Sequence, residues 1–134
     1  MKSVFIDTSF VIAMFTPEDK HHKQAVDIAR DLFDYQKILI TDAVLYEIGN
    51  AFTKLNKKIV AEFIQDCNNT DQIDIIKTDN LLFSRALERY ATYHDKHWSL
   101  TDCISFEVMK EYGINIAYSS DHHFEQAGFQ YTLR

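Results

Sequence analysis

Short apolar runs and longer amphipathic stretches alternate along this chain. The short runs are too brief for helices and rich in strand-forming residues, which indicates buried strands. Five such strands are predicted, at residues 4–6, 38–40, 73–76, 115–118 and 129–132. Between them apolar residues recur every three or four positions, which is the spacing of helices with one buried face.

Helices are predicted from about residue 10 to 15, 20 to 35, 43 to 56, 59 to 67, 79 to 93, 99 to 113 and 121 to 127. Their spacing places Leu55, Leu87 and Tyr90 inward, and puts Cys103 on the wet face of its helix. Arg85 and Arg89, one turn apart on the helix over 79–93, could contact phosphates, but an exposed pair that contacts Glu88 or water is expected. The alternation favours an α/β fold: a three-layer α/β/α sandwich with a mostly parallel sheet of about five strands, in a single domain over residues 1–134.

Two carboxylates follow predicted strands. Asp7 ends the first strand and is followed by Thr8 and Ser9, and Asp121 follows the fourth strand after Ser119. Ligands of open α/β sheets bind outside the carboxyl ends of the strands, so both aspartates stand where a site is expected. Either could instead serve only to cap the next helix.

Two further carboxylates lie on predicted helices. Glu47 falls at the edge of an apolar stripe, although a plain surface glutamate fits the same position. Asp102 lies away from the charged side of its helix, where a carboxylate must be paired, hydrogen-bonded or metal-bound. The alternative for Asp102 is a first-turn acid that complements the helix dipole.

Right-handed crossovers could bring these four acids to one edge of the sheet. Clustered carboxylates repel one another unless a hard cation lies between them, and Mg²⁺ or Mn²⁺ suits oxygen ligands. Such a site generates hydroxide and holds a phosphodiester for in-line attack. The chain contains no glycine-rich phosphate loop and no nucleophile motif, so metal-assisted phosphodiester hydrolysis is favoured.

Composition narrows the class of protein. A net charge of −6 argues against a generally basic surface for nucleic acid, but a cation-filled acidic cleft leaves a nuclease open. Two cysteines form no disulfide framework, and no apolar run approaches membrane-spanning length, so a cytoplasmic protein without membrane contact is expected. Histidine pairs such as His94 and His97 could bind metal, but no cysteines stand at zinc spacing.

The segments around the four acids resemble the PIN-domain nucleases, and in particular the small VapC-type toxins of toxin–antitoxin pairs. Residues 4–9, 44–47, 100–102 and 119–124 carry the resemblance, which spans the whole chain in order. It implies a sheet order of 3-2-1-4-5, Mg²⁺-dependent endoribonuclease activity on RNA, a homodimer and a neutralising antitoxin. It also implies roles for the site residues. The core metal ligands would be Asp7, Glu47 and Asp102, and Asp121 would be the fourth acid. The supporting hydroxyls would be those of Thr8, Ser9 and Ser119.

One departure from the family pattern is visible, because His123 stands where many relatives carry a further acid.

Other hypotheses remain: a solitary PIN-type nuclease, or a PIN-like binding module without metal. An aspartate-nucleophile phosphatase needs a second aspartate where Ser9 stands. An antitoxin tail is expected in an apolar groove of the first helices, formed by Phe10, Met14, Phe15 and Phe52, with an arginine or lysine against the acids. The alternative is that these side chains belong to the core or form a homodimer contact.

Overall fold

The structure is a computed structural model that describes residues 2–134. Five strands form one sheet in the order β3-β2-β1-β4-β5, and every neighbouring pair is parallel. The strands are β1 (Ser3–Ile6), β2 (Lys37–Thr41), β3 (Ile73–Ile76), β4 (Ile116–Tyr118) and β5 (Gln130–Tyr131). The predicted fold class and strand order are confirmed.

Seven α-helices flank this sheet within residues 2–134. They are α1 (Thr8–Phe15), α2 (His22–Ala29), α3 (Asp42–Ala51), α4 (Lys57–Asn69), α5 (Asn80–Thr92), α6 (Leu100–Tyr112) and α7 (His123–Gln126), with a 3₁₀ turn at Leu32–Asp34. Parallel strands require such crossovers, and each strand therefore ends at the same edge of the sheet, where the next helix begins.

The central strand β1 fixes the position of the first acid. Val4, Phe5 and Ile6 are almost wholly buried, as expected for a strand covered on both faces. Ile6 pairs in register with Tyr118 of β4, and the backbone N–H of Asp7 donates to the carbonyl of Tyr118 at 3.1 Å. Asp7 is thus held at the carboxyl edge between two neighbouring strands.

Two predicted helices are too long. The segment predicted as a helix over 20–35 breaks after Ala29, since the chain must turn back toward β2, and the Gln36 N–H donates to the carbonyl of Lys2 beside β1. The helix predicted over 43–56 ends at Ala51, and Asn56 adopts the left-handed conformation with φ 61°. Leu55 lies in the intervening turn and is 78% exposed, so its predicted core position is wrong.

The faces predicted for α5 and α6 are also partly wrong. Cys103 is fully buried, because α6 packs on two sides. Leu87 and Tyr90 are nearly half exposed, because the buried side of α5 carries Leu82 and Ala86 instead. The prediction of an exposed Arg89 is also wrong. Arg89 Nε donates to Glu107 Oε2 at 2.6 Å, and its guanidinium lies over the ring of Phe106.

Candidate active site

Asp7 is a buried carboxylate with an asymmetric set of partners. It occupies the N-cap position of α1, but its side chain makes no capping bond, so capping does not explain it. Ser9 Oγ and Ser119 Oγ donate to the same oxygen, Oδ2, at 2.8 and 2.7 Å. Within residues 2–134, Oδ1 receives no hydrogen bond.

Burial raises the pKa of Asp7 from 3.8 to about 6. The hydrogen bonds from Ser119 and Ser9 oppose that rise, while the charges of Asp102 and Asp121 add to it. The three aspartates therefore form one electrostatic cluster, although Asp102 and Asp121 stand far from Asp7 in sequence. Their mutual repulsion favours any positive charge placed among them.

Asp102 lies in the first turn of α6 with a side chain only 13% exposed. It forms a capping box with Ser99: Ser99 Oγ accepts from the Asp102 N–H at 2.9 Å, and Asp102 Oδ2 accepts from the Ser99 N–H at 3.0 Å. Burial raises the pKa of Asp102, and the bond from Ser99 opposes this. Asp102 thus caps its helix and joins the cluster at the same time.

Asp121 and His123 complete this side of the site. Asp121 Oδ1 accepts from the His123 backbone N–H at 2.9 Å, so it supports the start of α7 as a cap would. His123 Nδ1 lies 3.1 Å from Asp121 Oδ1 and 3.3 Å from Asp102 Oδ2. Ser119 Oγ accepts from the Asp121 N–H at 2.9 Å and thereby joins this side to Asp7.

Glu47 reaches the site by one contact. It is half-buried on α3, and Thr8 Oγ1 donates to its Oε1 at 2.5 Å. Because Thr8 follows Asp7 directly, this bond ties α3 to the end of β1. Asp102 and Asp121 shift the pKa of Asp7, whereas no contribution from Glu47 is found.

A family model described as PIN domain matches residues 4–130 of the chain. The chain belongs to the PIN domain family. The resemblance noted in its sequence is confirmed, and the acids described above lie where the strands of this PIN domain end.

Named relatives of this PIN domain are similar over nearly their whole length. The 23S rRNA-specific endonuclease VapC20 of Mycobacterium tuberculosis, strains CDC 1551 / Oshkosh and H37Rv, is 28% identical over 131 residues, which cover 94% of this chain and 95% of the relative. The crystal structure of Mycobacterium tuberculosis VapC20, a sarcin-ricin loop cleaving toxin, superposes with a TM-score of 0.83 at 24% identity, covering 94% and 95%.

A second solved structure is more distant. FitAcB from Neisseria gonorrhoeae superposes with a TM-score of 0.65 at 14% identity, and the match covers 96% of this chain and 95% of that chain. At these identities both superpositions establish the fold of the PIN domain alone.

The donor set of the PIN domain fits a divalent cation. Each of the four acids has one oxygen held by a hydrogen bond, and the other oxygen receives none from the residues that the structure describes. The unengaged oxygens are Asp7 Oδ1, Glu47 Oε2, Asp102 Oδ1 and Asp121 Oδ2. Oriented carboxylates with one oxygen left over are what Mg²⁺ and related ions use as ligands.

The acids do not all crowd together. Among residues 2–134, the group whose ligand atoms lie within 4.8 Å of one another consists of Asp121, His122 and His123. The sequence predicts only Asp121 of these three as a ligand: the pair His122 and His123 has a spacing that can bind metal but is not favoured, and His123 stands out as a departure from the family pattern. The signal available for His123 was its place two residues after Asp121 at the start of a helix.

An apolar cavity of about 240 Å³ lies against one face of the sheet. Ile6, Phe10 and Met14 line it, together with Ile38 and Ile73 near the starts of β2 and β3. The predicted groove is partly wrong: Phe52 is buried and packs edge-on against Phe15, with ring centroids 6.3 Å apart. Phe10 is buried too, so it forms the floor of the cavity and offers little surface of its own.

None of the helices described between residues 2 and 134 is long and apolar enough to cross a membrane.

Proposed function

We propose that this PIN domain is a metal-dependent endoribonuclease that hydrolyses RNA phosphodiester bonds and acts as the toxin of a toxin–antitoxin pair. The similarity to an rRNA-specific endonuclease over 94% of the chain supports the reaction class. The observation that carries the proposal is the set of four acids, each held by one oxygen and free at the other.

Asp7, Asp102 and Asp121, together with Glu47, hold Mg²⁺ or Mn²⁺ in this proposal. The bound ion supplies the positive charge that activates a water and neutralises the phosphodiester. Ser9 and Ser119 fix the carboxylate of Asp7. Because both hydroxyls are already in place, the carboxylate needs little reorganisation when substrate binds.

The remaining acid is fixed from a different element. Thr8 orients Glu47, so a hydroxyl on α1 positions a carboxylate on α3. The RNA phosphates are drawn to the site by the ion, since the chain carries a net charge of −6.

Cleavage of an RNA substrate with and without divalent ions tests the activity. We expect turnover in Mg²⁺ or Mn²⁺, none in excess chelator, and little in Ca²⁺, which accepts looser and larger coordination shells. Full activity in excess chelator would mean a metal-free ribonuclease. A PIN-like binding module without metal predicts that calorimetric Mn²⁺ titration of the same protein gives no binding heat.

The antitoxin in this proposal is a small protein with an apolar and basic tail. Its apolar side chains enter the 240 Å³ cavity, whose lining includes Ile6. An arginine or lysine of the tail reaches Asp7, which follows Ile6 in the chain, or Glu47 or Asp102. Such a cation competes with the metal, because both neutralise the same carboxylates.

Co-expression with the neighbouring short gene tests this pairing. We expect the two proteins to co-purify and the pair to leave growth normal, while this chain alone stops growth. A chain that purifies alone and does not affect growth is a solitary PIN-type nuclease. We place the protein in the cytoplasm, in keeping with its two free thiols at Cys67 and Cys103.

A homodimer contact is proposed on α5. Phe83, Leu87 and Tyr90 are each over 40% exposed and stand four and three residues apart, so they form one apolar stripe. Sedimentation should give twice the chain mass, and Leu87→Glu should halve it, whereas Glu88→Lys beside the stripe should not. A wild-type chain that sediments as a monomer contradicts this contact.

A further inference from the structure

Among residues 2–134, His123 is the one imidazole that contacts two of the candidate acids. Its side chain is 17% exposed, while that of the adjacent His122 is 67% exposed. Nδ1 lies between Asp102 Oδ2 at 3.3 Å and Asp121 Oδ1 at 3.1 Å. The two carboxylates come from separate elements, the first turn of α6 and the loop after β4, and this nitrogen touches both.

The choice of oxygens identifies what the imidazole does. Asp102 Oδ2 and Asp121 Oδ1 are the oxygens that already accept backbone N–H bonds. A metal ligand would stand on the side of the unengaged oxygens, Asp102 Oδ1 and Asp121 Oδ2. His123 contacts the engaged oxygens instead: its Nδ1 forms a hydrogen bond with Asp102 Oδ2, and its backbone N–H donates to Asp121 Oδ1, 3.1 Å from the same Nδ1. His123 therefore holds both carboxylates in place.

The same placement has an electrostatic consequence. Two partly buried carboxylates that share a small site repel each other, and that repulsion must be offset by a cation or a proton donor between them. In nucleases with two metals, carboxylates bridge ions that lie only a few ångströms apart, about 4 Å. Here a side chain of the protein itself fills the gap between Asp102 and Asp121.

We propose that His123 clamps Asp102 to Asp121 in the place of a second cation, through its Nδ1–H and its backbone N–H, so that the site binds a single divalent ion per chain. This inference rests on the proposed metal-dependent activity and specifies its ion count. His123 is in this view a positioning residue, which acts through the two aspartates and touches neither ion nor RNA.

Three substitutions separate this role from its alternatives. His123→Asn keeps a neutral N–H donor close to the position of Nδ1, so the clamp should survive. His123→Asp removes the donor and adds a carboxylate, which should create room and charge for a second ion. His123→Leu removes the donor alone. All three residues are tolerated at the start of a short helix, and thermal melting of each metal-free variant checks that it folds.

The matched control is His122→Ala. The two imidazole rings are neighbours with centroids 4.5 Å apart, and His122 Nδ1 lies 3.9 Å from the same Asp121 oxygen. That distance is beyond a hydrogen bond, so the clamp predicts unchanged ion binding in His122→Ala. Lost ion binding in this variant would make Asp121, His122 and His123 the metal site and would overturn the clamp.

The experiment counts bound Mn²⁺ by calorimetry and by the electron paramagnetic resonance of free and bound ion. The wild type, His123→Asn and His122→Ala should each bind about one Mn²⁺ per chain with similar affinity. His123→Leu should bind about one ion roughly tenfold more weakly, the scale of a lost orienting partner. His123→Asp should bind about two, with spin coupling between neighbouring ions.

Three further outcomes of this experiment would overturn the clamp, and a fourth would overturn the proposed function. Two ions per wild-type chain, or an unchanged count in His123→Asp, overturns the clamp. A ¹⁴N coupling to Mn²⁺ in the wild type that shifts when histidine is labelled with ¹⁵N, and disappears in His123→Asn, makes His123 a ligand and also overturns it. No Mn²⁺ binding in any variant overturns the proposed metal-dependent function itself, so the two failures are distinguishable.

Discussion

Two aspartates stand at equivalent places in this sheet and are treated differently by their surroundings. Asp7 directly follows β1, and Asp42 directly follows β2, one strand away. Both oxygens of Asp42 are occupied: Oδ1 accepts from the Ala43 N–H and from Thr78 Oγ1, and the Thr78 N–H reaches both oxygens at 3.1 Å. Asp7 is held through one oxygen by two serines.

The difference separates a structural acid from a binding acid. Both oxygens of Asp42 accept hydrogen bonds that tie the end of β2 to the segment after β3, so neither oxygen remains unengaged for a ligand. Asp7 is more buried and lies among other acids, and one of its oxygens remains unengaged. A carboxylate at a strand end therefore indicates a binding site only when one of its oxygens accepts no hydrogen bond from its surroundings.

The largest effect that tests this contrast is on cleavage. Asp7→Asn keeps the shape and the serine bonds but removes the charge that holds a cation, so we expect cleavage to fall by about 10³-fold or more, equivalent to some 4 kcal/mol. Asp102→Asn should do the same. Asp42→Asn should retain the wild-type rate. Initial rates on one RNA in Mg²⁺ measure all three, and wild-type cleavage by Asp7→Asn would remove it from the site.

The next effect is the pH dependence of stability. The pKa of Asp7 is raised from 3.8 to about 6, so between these values the folded chain keeps a proton that the unfolded chain loses. The metal-free protein should therefore lose stability as pH rises through this window, by up to about 3 kcal/mol.

Asp7→Asn isolates this contribution, since other acids titrate in the same range. In urea unfolding with chelator present, the variant should be more stable than the wild type at pH 7, and the gap should close toward pH 4. A constant gap across that range would mean that Asp7 has the same pKa in the folded and the unfolded chain, which contradicts the rise caused by burial.

A smaller effect should appear at the structural aspartate. Asp42→Ala leaves the Thr78 N–H and hydroxyl without their acceptor, which should lower the free energy of unfolding by about 2 kcal/mol. The control is Asp74→Ala on β3, whose exposed pair with Lys37 at 3.4 Å should contribute under about 0.5 kcal/mol. Urea midpoints of the two variants decide the matter, and equal losses would contradict the assigned roles.

The sequence predicts the positions of the strand-end acids better than it predicts which helix faces are buried and which residues the acids contact. Unbroken apolar runs mark the strands, and a parallel sheet brings their carboxyl ends to one edge, so the positions of Asp7 and Asp121 follow from pattern alone. Apolar periodicity assumes one buried face per helix. Helix α6 is covered on two sides, which is why Cys103 was assigned to solvent and is buried.

Hydrogen-bond partners distant in sequence lie beyond such patterns. No pattern in the sequence marks the contact of Asp42 with Thr78, since Thr78 comes beside it only through the pairing of β2 with β3. The contact of His123 with Asp102 likewise depends on how α6 and α7 meet. The roles of the four acids as ligands stay predictions, which the variants above test.

The smallest expected effect concerns the serine that distinguishes Asp7 from Asp42. Ser119 Oγ donates to Asp7 Oδ2 at 2.7 Å and is fully buried, and this bond lowers the pKa of Asp7 against the effect of burial. Ser119→Ala should therefore raise that pKa above about 6. A rise of about one unit, equivalent to some 1.4 kcal/mol, should weaken Mn²⁺ binding about tenfold at pH 5 and about twofold at pH 7. The control is Ser105→Ala on α6, whose buried Oγ has no hydrogen-bond partner among residues 2–134. Calorimetric Mn²⁺ titrations from pH 5 to 8 should show the midpoint of binding moving to higher pH in Ser119→Ala and staying in place in Ser105→Ala. Equal curves for the two variants would mean that the serines do not tune Asp7, and that burial alone separates it from Asp42.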